Sequence, residues 1–370
     1  MSRTLRLTTG LILFAFITMH LLNLSMGLIS LEALESSRPY FMGLWSNPVV
    51  GPLLLAAMLI HLALGLMALY KKNTLRMKAY DAVQFASALL IMPLLIPHIL
   101  GLTYGAELFG APPSYERLLM LFWVQAPMEG LRQVLLVAAV WIHGCVGLFT
   151  WMRLKVWWPS VSPLAYPLAV AIPVLALLGF VEAGNTVIAS AMEGTSTLAQ
   201  PSPPDDGMSM EERFIHYNSV KWTILWSYMG LVAAVLIARF VRLRSHASQS
   251  IELSYRHGPK VSARPGQTLL EIAQLNDLPH ANICRGRGRC GTCRVKIISS
   301  TSDLGSPSEM EQKTLARFDS PEGTRLACQI TPGPGEIELE RLLAPDVSID
   351  DFKQGRDTSF LRDGEAEASA

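Results

Sequence analysis

Apolar residues in the first 245 positions come in six long runs, near 8–31, 49–70, 80–102, 131–153, 164–188 and 220–242. About 20 residues cross a bilayer as a helix, and in lipid only a helix or a closed barrel satisfies its own backbone hydrogen bonds. The pattern therefore predicts a six-helix transmembrane bundle over 1–244. Between the third and fourth runs, PPSYERLLMLFWVQAP spaces Leu, Phe and Trp after a Pro-rich start, which predicts a short amphipathic helix on the outer surface. The loop near 189–219, with AQPSPPDDG, reads as irregular backbone followed by a helical turn.

The period changes after Arg244. A polar linker, 245–250 (SHASQS), leads into IELSYRHGPKVSARPG, where apolar residues alternate on both sides of HGP and predict a hairpin. Thr268 precedes LLEIAQL, a short amphipathic helix. Strands are expected at 294–298, 324–330 and 336–341, and SPSEMEQKTLARF reads as a helix capped by Ser306 and Ser308. This second domain spans 251–345. A polar tail over 346–370 is predicted to be disordered.

Composition fits a membrane part joined to a soluble one: half of the 370 residues are apolar and the formal net charge is +1, a balance that suggests no nucleic-acid partner. Basic residues set the orientation. Arg3 and Arg6, then Lys71, Lys72, Arg76 and Lys78, then Arg153 and Lys155, then Arg239, Arg242 and Arg244 all fall on one side of an alternating chain. The positive-inside rule makes that side cytoplasmic, with both termini. No cleavable signal peptide is expected, because the first apolar run is too long and no small-residue cleavage site follows it.

Five cysteines are present, four of them in CRGRGRCGTC and RLACQI and Cys145 alone in an apolar run. Cys284 and Cys290 have five residues between them, Cys290 and Cys293 have two, and Cys328 follows later. An Arg- and Gly-rich loop forms no regular helix or strand, yet it can wrap a small inorganic core and point backbone N–H groups at its sulfurs. Four thiolates close the coordination of a [2Fe–2S] cluster; zinc is the rival metal. Thiols kept reduced imply a reducing compartment, in agreement with the orientation. Strands mixed with short helices around such a loop describe an α+β domain of the β-grasp ferredoxin kind. Arg285, Arg287, Arg289 and Arg294 surround the ligands and predict a basic face for anionic headgroups or haem propionates.

Each of the first four apolar runs holds one histidine well inside it: His20, His61, His98 and His143. An ionisable group at that depth is costly and reads as functional, against the simpler role of hydrogen bonding between helices. Counted by helical rise, His61 and His143 lie at matching depth nearer the cytoplasm, and His20 and His98 nearer the outside. Two facing neutral imidazoles suit the iron of a b-type haem. Gly65, Gly101, Gly144 and Gly147 accompany them and would leave room for a flat macrocycle; Pro93 and Pro97 are expected to kink the third helix. Glu107, Glu129 and Arg132, near the outer ends of helices three and four, are quinone candidates able to exchange protons, with ordinary interfacial charges as the alternative.

These residues carry three resemblances. The membrane half resembles the dihaem cytochrome b subunits of fumarate reductases and succinate dehydrogenases, which implies His20 with His98 at an outer haem b and His61 with His143 at an inner one. The five-residue first gap makes the ferredoxin half similar to adrenodoxin-like [2Fe–2S] proteins. The whole arrangement, with PHANICRGRGRCGTCRV and RLACQI, resembles the input region of bacterial class III adenylate cyclases. Their cyclase domain would follow Ala370, so nucleotide cyclisation is not carried over and no catalytic residue is singled out. The resemblances imply a multi-pass protein of the bacterial inner membrane. In one reading it passes electrons between the quinone pool, two b haems, the cluster and a cytosolic or membrane redox partner. In another, the same cofactors form the quinone-sensing input of a signalling domain. A histidine-based transporter would leave the cluster idle and ranks last. Homo-oligomers stay open.

Overall fold

A computed structural model describes residues 2–72, 75, 79–155, 157–195, 201–245, 250–256 and 258–347. Arg76, Lys78, His257, linker residues 246–249 and the predicted disordered tail from 348 onward lie outside the described residues. The chain divides into two compact units.

The first unit, Met1–Leu69 with Lys78–Phe149 and Pro159–Val235, is helical. Its elements are α1 (Ser2–Ser25), α2 (Leu31–Met42), α3 (Val50–Lys71), α4 (Ala79–Leu100), α5 (Ala106–Leu108), α6 (Tyr115–Met120), α7 (Pro127–Met152), α8 (Trp158–Glu193) and α9 (Met210–Ser245), the last running on into the second unit. Among the described residues, six helices are long and apolar enough to cross a membrane: α1, α3, α4, α7, α8 and α9. They start and end differently from the apolar runs. α8 and α9 reach 36 residues each; α9 does so because charged first and last turns, with Glu211, Glu212, Arg242 and Arg244, extend the helix beyond its apolar stretch. Pro93 and Pro97 lie within α4, which stays helical to Leu100 and passes into a π-helical turn at Gly101–Gly105.

The first apolar run is not one helix to position 31. α1 stops at Ser25, and Ser30 starts α2 by accepting the Ala33 N–H at 2.9 Å. α2 packs Leu34 against Tyr115, Leu119 and Met120 of α6 and Phe180 and Ala183 of α8. Asn23 ties this layer together, donating to Leu34 O at 3.1 Å and Ser37 Oγ at 2.8 Å while its own Oδ1 accepts from the Tyr115 hydroxyl. The amphipathic segment expected after Pro113 is thus α6 and the π-helical turn Leu121–Gln125, with its apolar face packed on neighbouring helices.

The second unit joins Tyr70–Met77 and Thr150–Trp158 to Leu236–Ala370. Its sheet comprises β1 (Ile251–Tyr255), β2 (Lys260–Ala263), β3 (Arg294–Ser300), β4 (Thr324–Leu326) and β5 (Gly335–Arg341), with α10 (Leu269–Leu275) and α11 (Glu309–Leu315) between strands. The order is β2-β1-β5-β3-β4, a mixed sheet. β1 and β5 pair in parallel, Leu253 opposite Ile337, and the other pairs are antiparallel. Alternation buries Ile251, Leu253 and Tyr255 of β1 with Ile337 and Leu339 of β5 against Leu269 and Ile272 of α10. A capping box between Thr268 and Glu271 starts α10.

Two local expectations are corrected. Ser308 caps α11 by accepting the Glu311 N–H, and Ser306 takes no part in the cap. The strand expected at 324–330 ends at Leu326 because the chain then turns to other partners: Ala327 N–H donates to Cys293 O at 2.9 Å, and Ala327 O and Ile330 O accept from Leu270 and Leu269.

Candidate functional site

All four cysteines of the pattern are buried and free of disulfides. They meet as two pairs. Cys284 hydrogen-bonds Cys290, and Cys293 hydrogen-bonds Cys328. The Cys284 N–H donates to Cys290 Sγ at 3.3 Å, the Thr292 hydroxyl lies 3.1 Å from the same sulfur, and Gln329 Nε2 donates to Cys328 Sγ at 3.2 Å. The bond from Cys290, followed by the backbone N–H groups of Arg289, Cys290 and Arg287, holds the Cys284 thiol down to about 5. Cys328 is lowered too, by Cys293 first and then by Gln329 and Gly288 N–H, whereas Cys290 and Cys293 are pushed up by their thiol partners and by burial.

The loop can do this only with glycine at special places. Gly291 has a φ of 76°, and a Cβ there would lie 2.3 Å from Phe318. The Thr314 hydroxyl donates to Gly288 O at 2.6 Å and anchors the loop to α11. Thr292 and Gln329 escaped the sequence reading; Thr292 was the legible one, standing between two cysteines in CGTC, while nothing local marks Gln329. Four buried thiols supplied with N–H and O–H donors are the donor set that a [2Fe–2S] cluster takes.

The arginines divide. Arg294 is buried over the Phe318 ring, 3.9 Å from its centre, and so leaves the basic face expected of it. Arg287 Nη1 donates to Thr150 O at 3.2 Å, and Arg153 Nη2 donates to Ile283 O at 2.7 Å, so in this unit segment 150–158 is bonded directly to the cysteine loop. Arg285 sits at a φ of 56° and is lowered to about 10 by burial and then by Arg287.

In the first unit the histidines also fall into two pairs. The His20 and His98 ring centres are 6.3 Å apart, and so are those of His61 and His143. Two imidazoles binding one metal from opposite sides give about 6 Å, from metal–nitrogen bonds of about 2 Å plus about 1 Å from each nitrogen to its ring centre. The Nδ1 atoms of three rings are engaged: His61 with Thr9 Oγ1 at 3.1 Å, His143 with Gln84 O at 3.1 Å, and His98 with Gln133 Oε1 at 2.8 Å. Each partner can accept an Nδ1–H, which leaves Nε2 unprotonated as a ligand. His20 stacks on Phe16, and its buried Nδ1 has no partner among the described residues. A Cβ at residue 10 would stand 3.0 Å from His61 Cε1, so glycine there lets α1 come close to that ring. Gly65, one turn from His61, is exposed, and a Cβ there would meet nothing within 4 Å. Gly144 instead packs on Phe14, and Gly147 lies by the Gln84 amide.

Of the quinone candidates, Arg132 is ion-paired to Glu129, its Nε donating at 2.6 Å, and its Nη1 donates to Leu94 O at 2.9 Å. Glu107 is exposed on α5, and among the described residues no hydrogen bond or ion pair links it to either.

Residues 255–333 match the family described as the 2Fe-2S iron-sulfur cluster binding domain. The chain is 37% identical over 75 residues to the reductase component of an aromatic O-demethylase from Amycolatopsis sp., covering 20% of this chain and 21% of that protein. It is 36% identical over 104 residues to a component of the Na(+)-translocating NADH-quinone reductase of Marinomonas sp., 28% of this chain and 24% of the relative. Chlorosome protein J of Chlorobaculum tepidum is 34% identical over 77 residues, 21% of this chain and 34% of its own length. The chain thus spans about a third or less of the relatives it matches. The C-terminal part of this protein is a 2Fe–2S ferredoxin domain with an electron-transfer role, in a chain whose N-terminal part holds six long apolar helices.

Proposed function

We propose that the protein is a membrane-bound electron carrier linking the quinone pool to a cytosolic [2Fe–2S] cluster by way of two b haems, and from there to a cytosolic or membrane redox partner. In this reading Cys284, Cys290, Cys293 and Cys328 hold the cluster, His20 and His98 hold an outer haem, and His61 and His143 an inner one. The observation that carries it is the equal 6.3 Å spacing of two separate imidazole pairs, a separation that would suit two ligands of one metal. Such centres, when bound, supply one-electron transfer. The protein's own residues do the rest. Thr9, Gln84 and Gln133 fix three ring orientations, and N–H and O–H donors around the thiols stabilise their anionic form. The basic residues at the ends of α3, α7 and α9 support a cytoplasmic ferredoxin domain, 251–345, after a transmembrane domain, 1–244.

Visible and electron paramagnetic resonance spectra of the purified protein test this. Paired-imidazole haem bands with a reduced [2Fe–2S] signal are expected; a protein that carries the cluster and takes up no haem contradicts the haem assignment.

A further inference from the structure

We propose that the headgroup of a lipid-dissolved quinone binds against Tyr217, Arg132 and Glu129, with Gln133 joining that site to His98. The proposal rests on the redox reading above and assigns its quinone to particular side chains. Tyr217, on α9, was not among the residues singled out from the sequence.

The geometry begins one turn beyond His98. Gly101 opens the π-helical turn, a conformation that often marks functional sites, and a Cβ there would lie 3.7 Å from the Tyr217 hydroxyl. The Tyr217 ring is steadied by Phe109, ring centres 6.1 Å apart, and by Lys221 Nζ, 5.7 Å from its centre. Among the described residues its hydroxyl makes no hydrogen bond, although Arg132 and Glu129 are close enough to act on it electrostatically. Arg132 holds Glu129 through Oε2, which leaves Oε1 for another donor. Gln133 closes the arrangement: Nε2 donates to Glu129 O at 3.3 Å while Oε1 takes the His98 Nδ1–H at 2.8 Å.

These groups match the chemistry of a quinone and its quinol. A quinone presents two carbonyl acceptors, for which Tyr217 Oη and Arg132 supply donors. A quinol presents two hydroxyl donors, for which Glu129 supplies an acceptor. A phosphate headgroup would suit Arg132, but the Glu129 carboxylate opposes it. Met128 and Leu131, 75% and 50% exposed, flank Glu129 with apolar surface and favour a ligand arriving from lipid.

The test is titration of the full-length protein in detergent micelles with a short-chain benzoquinone, read by quenching of tryptophan fluorescence, so that no electron transfer is needed. Saturable binding is expected. Tyr217→Phe and Glu129→Gln should each weaken it about tenfold, the usual loss for one buried hydrogen bond. Gly101→Val should block it by filling the space beside Tyr217, and Glu107→Gln should leave it unchanged. Size-exclusion elution shows which variants fold, and Gly101→Val decides the matter if a polar variant does not. Unaltered affinity in the folded variants overturns the site while leaving the quinone reading intact. Absence of saturable binding by the unsubstituted protein overturns both.

Discussion

The cysteine loop is a buried donor set and the histidine pairs a half-buried one, and their surroundings have opposite polarity. Around the sulfurs stand donors: the Cys284 N–H, the Thr292 hydroxyl and the Gln329 amide. Around the imidazoles stand acceptors: Thr9 Oγ1, Gln84 O and Gln133 Oε1. A thiolate is anionic and gains from hydrogen bonds donated to it, whereas a neutral imidazole ligand must give away its other N–H. The same contrast separates His280, a buried histidine of the ferredoxin unit. It lies 6.5 Å from the Tyr255 ring with no second histidine, and its Nε2 has no partner among the described residues.

The largest expected effects come from removing one donor of each kind. Cys290→Ala should abolish the [2Fe–2S] absorbance and leave haem content unchanged, while His143→Ala should halve the haem content, by pyridine haemochrome assay, and leave the cluster in place. A loss of both cofactors in either variant would break the separation into two independent sites.

Next in size is Glu311, a buried carboxylate that accepts from Arg325 Nε at 2.9 Å and from Leu326 N–H at 2.8 Å where β4 ends beside the cysteines. Glu311→Ala removes the acceptor of the buried Leu326 N–H and the ion-pair partner of the half-buried Arg325, and should cost about 3 kcal/mol of stability in the ferredoxin unit, measured by denaturant bleaching of the cluster.

The two donor sets were not equally legible in the sequence. Three of the four cysteines lie within ten residues, so their spacing carried the loop and its chemistry at once. The histidines stand 78 and 82 residues apart within their pairs and were matched only by counting depth along helices. Their partners could not be read: Thr9, Gln84 and Gln133 come from three other positions whose meeting depends on how helices pack. α2 was missed because a polar stretch with Pro39 breaks the apolar run, although Ser30 with Glu32 in the first turn is a start signal. Arg294 was misplaced since its charge is legible and its burial on Phe318 is not.

His280 gives a pH dependence that sets it apart from the paired histidines. Burial first, and Arg341 after it, lowers it to about 4, against the opposing hydrogen bond to Ala281 O. Below about 6.5 the unfolded chain takes up a proton that the folded one refuses, so this stability is fully present above pH 6.5 and is lost as pH falls toward 4. The loss should reach about 3 kcal/mol in equilibrium unfolding, and His280→Leu should flatten the slope.

The smallest effect sharpens the acceptor side. Thr9→Val removes the group facing His61 Nδ1 and should raise the potential of the His61–His143 haem by about 40 mV, one hydrogen bond's worth for a one-electron couple, with no change at the other haem. Equal shifts at both haems would show that the acceptors do not act ring by ring.

A single redox titration of the purified full-length protein, followed by visible and electron paramagnetic resonance spectra, tests the central claim most directly. It should resolve two paired-imidazole haems with separate potentials and one reduced [2Fe–2S] signal. A spectrum with the cluster alone after growth with ample haem, or zinc in place of iron at the cysteines, would contradict it.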